Sequence, residues 1–425
     1  RGCVMQYHLV KTKKSRWKNF IITWMIVCFL LQDLLQTYIP VFQYLDEIVS
    51  VLLLALYLIR IMKTGVIAKE ELGILALAAL VILTGLLGNM FSGVDRSLKA
   101  VLMDIGNTFK FIFIYLGTLY FSPRYSSRNV IRRIAAVAKV YISILALFSA
   151  VNLVKDIGMS YELRYGLRSF CFVYGIPGIV INHCTYMLII FMADRSVNKK
   201  KNTLFLLLDL LVMLSTLRSR GIGLVALFCM LYYLLFVMKK KRITLYLGVI
   251  VLVLGLIGAS QLEMYFIDSE TAPRALFLIY SIRLARSHFP IGTGFATFGS
   301  YAAANYYSPL YYTLNFYKRY GMGPEGNLFL SDNYWPTILG QFGVIGMLIF
   351  VVLLILYFRN MSKHLMIKKK KESRLIFYFV MLDALMSSIQ SSYFSHYSMI
   401  ALIFITMMCF HNGMHAAVGE NGYGD

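Results

Sequence analysis

Acid is scarce in this sequence: 20 Asp and Glu stand against 42 Lys and Arg, a net charge of +22. Such an excess can serve nucleic acid. Here, though, the basic residues fall in short runs between apolar stretches, which is the footprint of membrane topology. Proline is also rare, at 8 of 425 residues, so few breakers interrupt the apolar runs. The six cysteines (Cys3, Cys28, Cys171, Cys184, Cys229 and Cys409) are scattered, mostly inside apolar segments, and none forms a CxxC pair. Neither a disulfide framework nor a zinc site is indicated. Walker, HExxH, GxSxG and DxD patterns are missing as well. Their absence counts against an ATPase, a metalloprotease and a metal-dependent nucleotide-sugar transferase.

What the chain does have is apolar surface. Hydrophobic residues make up 59%, with 30 Phe, 30 Tyr and 22 Met, where a soluble domain carries about 45–50%. A spanning helix needs about 20 mostly apolar residues. Twelve such segments are predicted, near 19–40, 46–62, 72–92, 100–121, 133–153, 170–193, 203–217, 221–238, 243–262, 333–358, 374–394 and 397–412. Lipid offers no partner to unpaired backbone groups, so these segments are helices, and they lack the period-two alternation of a membrane barrel. The expected fold is all-α: a polytopic integral membrane protein of about 12 transmembrane helices, one membrane domain over residues 1–425. No cleavable signal peptide is visible, and the first apolar helix can begin insertion itself. The sequence opens at Arg1, so its true N-terminus is expected to lie upstream.

Lys and Arg set the orientation. With the N-terminus taken as cytoplasmic, 28 of the 42 basic residues fall in the cytoplasmic segments and 13 on the other side, with Lys139 inside the fifth helix. Both termini are then cytoplasmic. Two external regions are long. Residues 154–169 carry Lys155, Glu162, Arg164 and Arg168, and residues 263–332 form a large extracytoplasmic loop between helices nine and ten. Loops of that length are functional or disordered. Phe, Tyr and Leu throughout this one argue against disorder. Ala275, Leu278, Ile279, Ile282 and Phe289 recur at helical spacing, which predicts a helix lying on the outer membrane surface.

External arginine is the anomaly, because the positive-inside bias depletes it there. Arg96, Arg164, Arg168, Arg218, Arg220, Arg274, Arg283, Arg286 and Arg319 all fall outside. Arg218 and Arg220 flank Ser219 in a short hinge and would repel unless an anion lay between them. Arginine forks match phosphate oxygens, so the pair reads as a pyrophosphate clamp; it reads equally as two side chains snorkelling to headgroups. In the long loop, Pro290-Ile291-Gly292-Thr293-Gly294 makes a tight turn that lets backbone approach a ligand, or only a turn. Asp332-Asn333-Tyr334 opens the next helix. Asp332 is a helix cap on one reading, and on the other a general base that orients a sugar hydroxyl. Polar residues such as Asp104, Lys110, Asn182, His183, Asp209 and Asp383 fall within or near apolar stretches, where ion pairing and function are both open. Helix six, with Gly175, Pro177 and Gly178, is expected to kink.

The order of these motifs resembles the O-antigen ligase and O-antigen (Wzy-type) polymerase superfamily of bacterial envelope proteins. The matching residues are Ser215-Thr216-Leu217-Arg218-Ser219-Arg220-Gly221, then Arg274, then Pro290 to Gly294, then Asp332-Asn333-Tyr334 leading into Gly340-Gln341-Phe342-Gly343-Val344-Ile345-Gly346. The likeness covers about residues 165–360 and is topological elsewhere. Many ligases of this family carry His-Asn where this chain has Asp332-Asn333, which favours a polymerase. Arg164 to Gly175 and Arg283 to Gly294 also fit the polymerases' Arg-x10-Gly pattern.

The resemblance implies a GT-C-like architecture in the bacterial plasma (inner) membrane and a metal-independent glycosyltransferase with no cofactor. Its substrate would be an oligosaccharide repeat on undecaprenyl pyrophosphate, polymerised into O-antigen of lipopolysaccharide, capsule or exopolysaccharide. Asp332, Arg220 and Arg274 are the implied catalytic residues. Arg218, Arg164, Arg283, Gly292, Gly294, Asn333 and Tyr334 are the implied binding residues. Tyr301, Tyr306, Tyr307, Tyr311 and Tyr312 either stack on sugars or form an interface belt. Membrane lipids and a chain-length regulator are expected partners, and nucleic acid is not. The rivals are a ligase acting on a surface acceptor and a lipid-linked oligosaccharide flippase, for which an internal repeat is wanting.

Overall fold

Long apolar runs become helices here, and the longest of them breaks at a glycine, Gly343. The computed structural model describes residues 17, 19–121, 128–239, 246, 248, 255, 273–326, 329–365 and 370–411. The span expected at 243–262 lies outside them but for three isolated positions. In chain order the helices are α1 (Asn19–Leu30), α2 (Gln32–Tyr38), α3 (Leu45–Thr64), α4 (Lys69–Phe91), α5 (Leu98–Phe121) and α6 (Arg128–Val154). After them come α7 (Pro177–Asn198), α8 (Thr203–Ser215), α9 (Ser219–Tyr232), α10 (Pro273–Ser287), α11 (Tyr301–Asn305) and α12 (Pro309–Thr313). The last three are α13 (Tyr334–Leu365), α14 (Lys371–Gln390) and α15 (Tyr397–Phe410).

Helix therefore stands at eleven of the twelve expected segments. Among the described residues, six helices are long and apolar enough to cross a membrane: α4, α5, α6, α7, α9 with its continuation to Val237, and α13. The α1–α2 pair makes a seventh if counted as one span, but it bends by 78° at Leu31. By length and composition α3, α8, α14 and α15 fall short of that mark. Helices α8 (13 residues) and α15 (14 residues) are apolar but short, whereas α3 carries Asp46, Glu47, Arg60 and Lys63, and α14 carries Lys371, Glu372, Arg374 and Asp383.

Two local expectations are corrected. Residues 160–170 are strand rather than loop. Strands β1 (Ser160–Arg164) and β2 (Leu167–Phe170) pair antiparallel, with Tyr165 and Gly166 both at positive φ in the two-residue turn. That is the turn geometry whose twist suits a hairpin. The sixth expected span does not kink at its glycines. Gly175 sits in the left-handed region before the helix, and Pro177 takes the first helical position of α7, where its missing N–H costs nothing. The helix expected near 274–288 is present as α10, and it carries a second apolar face. Leu276, Phe277 and Leu284 are buried, whereas Leu278, Ile279 and Ile282 are about two-fifths exposed and Phe289 is 71% exposed. The buried side joins Phe298, Tyr311, Phe316, Met322 and Leu330 in a hydrophobic cluster separate from that of the bundle.

That cluster is tied into the bundle through a break in α13. Gly343 has φ 63° and ψ −166°, far from helical values. The carbonyls of Gly340 and Gln341, which an unbroken helix would give to residues four further on, accept instead from the backbone N–H groups of Thr293 (3.0 Å) and Gly294 (2.8 Å). In return the Ile345 N–H donates to the Pro290 carbonyl at 3.3 Å. Asn89 of α4 closes the other side, accepting from Phe295 N–H and donating to its carbonyl. The Gly292 and Gly343 backbones come so close that a Cβ on Gly343 would lie 2.4 Å from the Pro290 oxygen, and one on Gly292 2.4 Å from the Gly343 nitrogen. Both residues also sit at positive φ. Gly343→Ala or Gly292→Ala should therefore cost about 2–4 kcal/mol from overpacking and left-handed strain. The check is the thermal midpoint of the purified protein, and a midpoint equal to wild type would contradict the close packing.

Candidate functional site

The hinge between α8 and α9 is built by three residues. Leu217 adopts a positive φ of 52°, Thr216 Oγ1 donates to the Met213 carbonyl, and Gly221 leaves room where a Cβ would meet the Met213 oxygen at 2.9 Å. The turn sends the two neighbouring arginines to different partners. Arg220 points into the bundle. Its Nη1 donates to Asn182 Oδ1 (2.7 Å), and its Nη2 donates to Asp383 Oδ1 (3.2 Å) and Tyr393 Oη (3.1 Å). Arg218 turns the other way, with its guanidinium 4.7 Å from the Tyr161 ring centre and Nη1 3.4 Å from Glu162. The two guanidinium groups thus turn to different carboxylates, Asp383 for Arg220 and Glu162 for Arg218, rather than facing one shared anion, which relieves the repulsion that suggested a clamp.

The Arg220 cluster continues through the interior. Ser387 and Tyr393 donate to Asp383, and Asn182 Nδ2 donates to Ser398 Oγ at 2.7 Å. Ser398 Oγ lies 2.9 Å from His396 Nδ1. Nearby, His183 sits 2.8 Å from Asp33 and 2.9 Å from the Tyr141 hydroxyl, and Tyr397 donates to Asp33 at 2.5 Å. Lys110 and Asp46 form a third buried pair at 2.6 Å. Asp383, Asn182, His183 and Lys110 were visible in sequence as polar residues in apolar stretches; Tyr393 and the pairing were not. Opposite charges at comparable depth on different segments were the available signal.

Arg274 and Asp332 meet, Nη2 to Oδ2 at 3.6 Å, with their side chains 20% and 37% exposed. Burial pushes the Asp332 carboxyl up from the ordinary carboxylate value, and the Arg274 charge opposes that rise. This pair sits beside the Arg220 cluster. The Ser392 hydroxyl donates to the Ser331 carbonyl (2.6 Å), and Trp335 Nε1 to Ser388 Oγ (3.0 Å). Asp332 follows Ser331, and Tyr393 follows Ser392. Asn333 and Tyr334, next in the chain, are 1% and 2% exposed, and among the described residues neither the Asn333 amide nor the Tyr334 hydroxyl finds a hydrogen-bond partner.

The remaining candidates are placed apart. Arg164 bonds to Glu162 on its own strand. Arg283 is exposed and lies over the Tyr280 ring, 5.2 Å from its centre and one turn back on α10. Gly292 and Gly294 are sealed against α13 and α4, so close backbone approach is real but its partner is the protein itself. Tyr311 is buried with its hydroxyl accepting from Gly299 N–H, and Tyr307 donates to the Met322 carbonyl. Tyr301 and Tyr312 remain about half exposed. Sequence reasoning missed Asp104 as a tie: it accepts from Ala296 N–H and from Gln341 Nε2 (2.9 Å), joining α5, the loop and α13. Among the described residues no group of three or more His, Cys, Asp or Glu is arranged to hold a metal ion.

Long apolar helices around an interior of paired charges define a mostly helical, membrane-embedded protein. No protein-family model, no curated protein and no solved structure matches the chain.

Proposed function

We propose that the chain polymerises lipid-linked oligosaccharide repeats at the outer face of a bacterial plasma membrane, within a GT-C-like bundle of about twelve spans. The observation that carries this reading is the Arg274–Asp332 pair. It joins a partly buried carboxylate, raised by that burial, to a guanidinium at 3.6 Å, a separation loose enough to open for a substrate. In the proposed step the non-reducing-end hydroxyl of one repeat attacks the anomeric carbon of the chain on its lipid carrier. The new glycosidic C–O bond forms as the bond to pyrophosphate breaks. Asp332 takes the hydroxyl proton, and Arg274 stabilises charge developing on the departing pyrophosphate.

Two further features support it. A groove of about 450 Å³ between α13 and α14, lined by Trp335, Leu354, Phe358, Phe377 and Leu385, begins three residues from Asp332 and suits an isoprenoid tail. On α10, exposed Leu278, Ile279 and Ile282 suit a helix lying against the bilayer surface. Arg220 supports the site from behind, through Asp383 and Tyr393, rather than touching the substrate.

Deleting the gene and resolving surface and lipid-linked glycans on a gel tests the reading. Single repeats at the surface, restored to long chains by wild type but not by Asp332→Ala, are expected. Long chains stranded on the lipid carrier would instead indicate a ligase. The pH profile gives a second check. Because burial raises the Asp332 carboxyl, the acid limb of activity should lie above the ordinary carboxylate range of about 4. Arg274→Gln removes the opposing charge, so the limb should move further up in pH. A limb that stays put would remove Asp332 from the role of base.

A further inference from the structure

The β1–β2 hairpin is built inside out for a segment standing in water. Along β1 the side chains alternate between two faces. Ser160, Glu162 and Arg164 are partly buried, whereas Tyr161, Leu163 and, in the turn, Tyr165 are 51%, 73% and 80% exposed. The charges look toward the protein: Arg164 pairs with Glu162, and Arg218 Nη1 lies 3.4 Å from the same carboxylate. Apolar outside and charge inside is the arrangement that lipid selects. The neighbouring helix shows the same surroundings. Val140, Ile144, Leu147, Val151 and Val154 form one exposed apolar stripe along α6, a helix long and apolar enough to cross a membrane, and the stripe runs to its last residue. Arg168 stands opposite Leu163 across the ladder and so shares its face, and it donates to the carbonyls of Leu153 and Val154 at 3.4 Å. The outward side of the hairpin thus continues the lipid-facing side of α6, while Arg168 turns its charge to the helix end.

We propose that this hairpin is an interfacial anchor: Leu163, Tyr165 and Leu167 at its tip enter the boundary between headgroups and acyl chains of the leaflet where α6 ends. The partner is the lipid surface itself. Tyrosine suits that depth, its ring toward the chains and its hydroxyl toward the headgroups. Lys155 and Asp156, exposed just after α6, stay at the polar level. A two-stranded hairpin is marginally stable alone, and burying its tip in the interface supplies the apolar contact that a third strand or a helix would otherwise give. The inner side is fastened to the bundle. Ser169 Oγ donates to the Thr216 carbonyl (2.6 Å), and the Tyr161 ring centre lies 4.7 Å from the Arg218 guanidinium. Both contacts fall in the α8–α9 hinge, so the depth of the hairpin in the leaflet sets the depth of that hinge.

Tryptophan fluorescence reads that depth without any glycan transfer. Full-length Tyr165→Trp is reconstituted in nanodiscs, and its emission is taken as the difference from wild type, whose Trp17, Trp24 and Trp335 give the background. Lipids brominated near the headgroup end of the acyl chain should quench the added signal about twofold more than lipids brominated near the methyl end. Iodide in the aqueous phase should leave it nearly unchanged. Leu163→Trp should behave alike and guards against a local defect at the turn. Adding Leu163→Glu to Tyr165→Trp places a charge on the inserted side. That variant should lose about half of the lipid quenching and admit iodide, with an unchanged thermal midpoint in detergent as the check on folding. Quenching of both tryptophans by iodide and by neither lipid would put the hairpin in water and overturn the proposal. Protection from iodide and from both lipids would overturn it as well, because a second copy of the chain or another protein would then cover the face. Lipid quenching undiminished by Leu163→Glu would likewise overturn it, since the apolar side would not be what holds the hairpin in the leaflet.

Discussion

Arg220→Ala should unfold the bundle around Asp383 before it tells anything about catalysis. The Asp383 side chain is fully buried and its cation is Arg220. Removing one partner of a buried pair strands the other charge and costs about 3–5 kcal/mol. Asn182 Oδ1 and the Tyr393 hydroxyl would lose a donor in the same step. The thermal midpoint in detergent is the measurement, and Asp383→Asn should fall by a similar amount. Combining Arg220→Met with Asp383→Leu is the informative variant, because apolar replacement of both partners is often neutral. A double variant as unstable as the sum of the singles would mean that the two residues are not energetically coupled. A stable double variant that retains glycan transfer would confine Arg220 to support of the site.

Asp332→Asn is the opposite case, a large effect on activity with a small one on stability. Asp332 is 37% exposed and its charged partner is Arg274 at 3.6 Å, so losing the pair should shift stability by no more than about 1 kcal/mol. A positioned general base is worth about 100- to 10,000-fold in rate, and the amide cannot take the hydroxyl proton. Transfer measured with lipid-linked repeats in proteoliposomes should drop by that factor while the thermal midpoint holds. A drop of less than about tenfold would leave Asp332 a helix-end residue and no more.

The sequence carried the helices well because an apolar run of about 20 residues has one physical solution in lipid. It carried the hairpin at 160–170 poorly, since two strands of five and four residues with mixed polarity give no period long enough to read. Arg274 and Asp332 were legible as candidates through residue chemistry, and the fold adds that they touch although 58 positions separate them. Arg218 and Arg220 show the limit most clearly. Their spacing in the chain was plain, but the direction each side chain takes depends on the positive φ of Leu217 and on carboxylates far away in sequence. Gly292 and Gly294 were legible as a tight turn or as a place where backbone could approach a ligand, and only the fold shows Gly292 pressed against α13 and Gly294 against α4.

The break at Gly343 has a consequence for inheritance. The loop does not rest on the bundle as a detachable cap, because its backbone completes the hydrogen bonds that α13 leaves open, and Asn89 of α4 completes its own. A chimaera that imports residues 273–332 from another chain must therefore bring matching residues at 340–343 and at 89. Without them both parents' halves would keep unsatisfied amides in the interior. Variation in this loop is therefore yoked to positions on two other helices, α4 and α13.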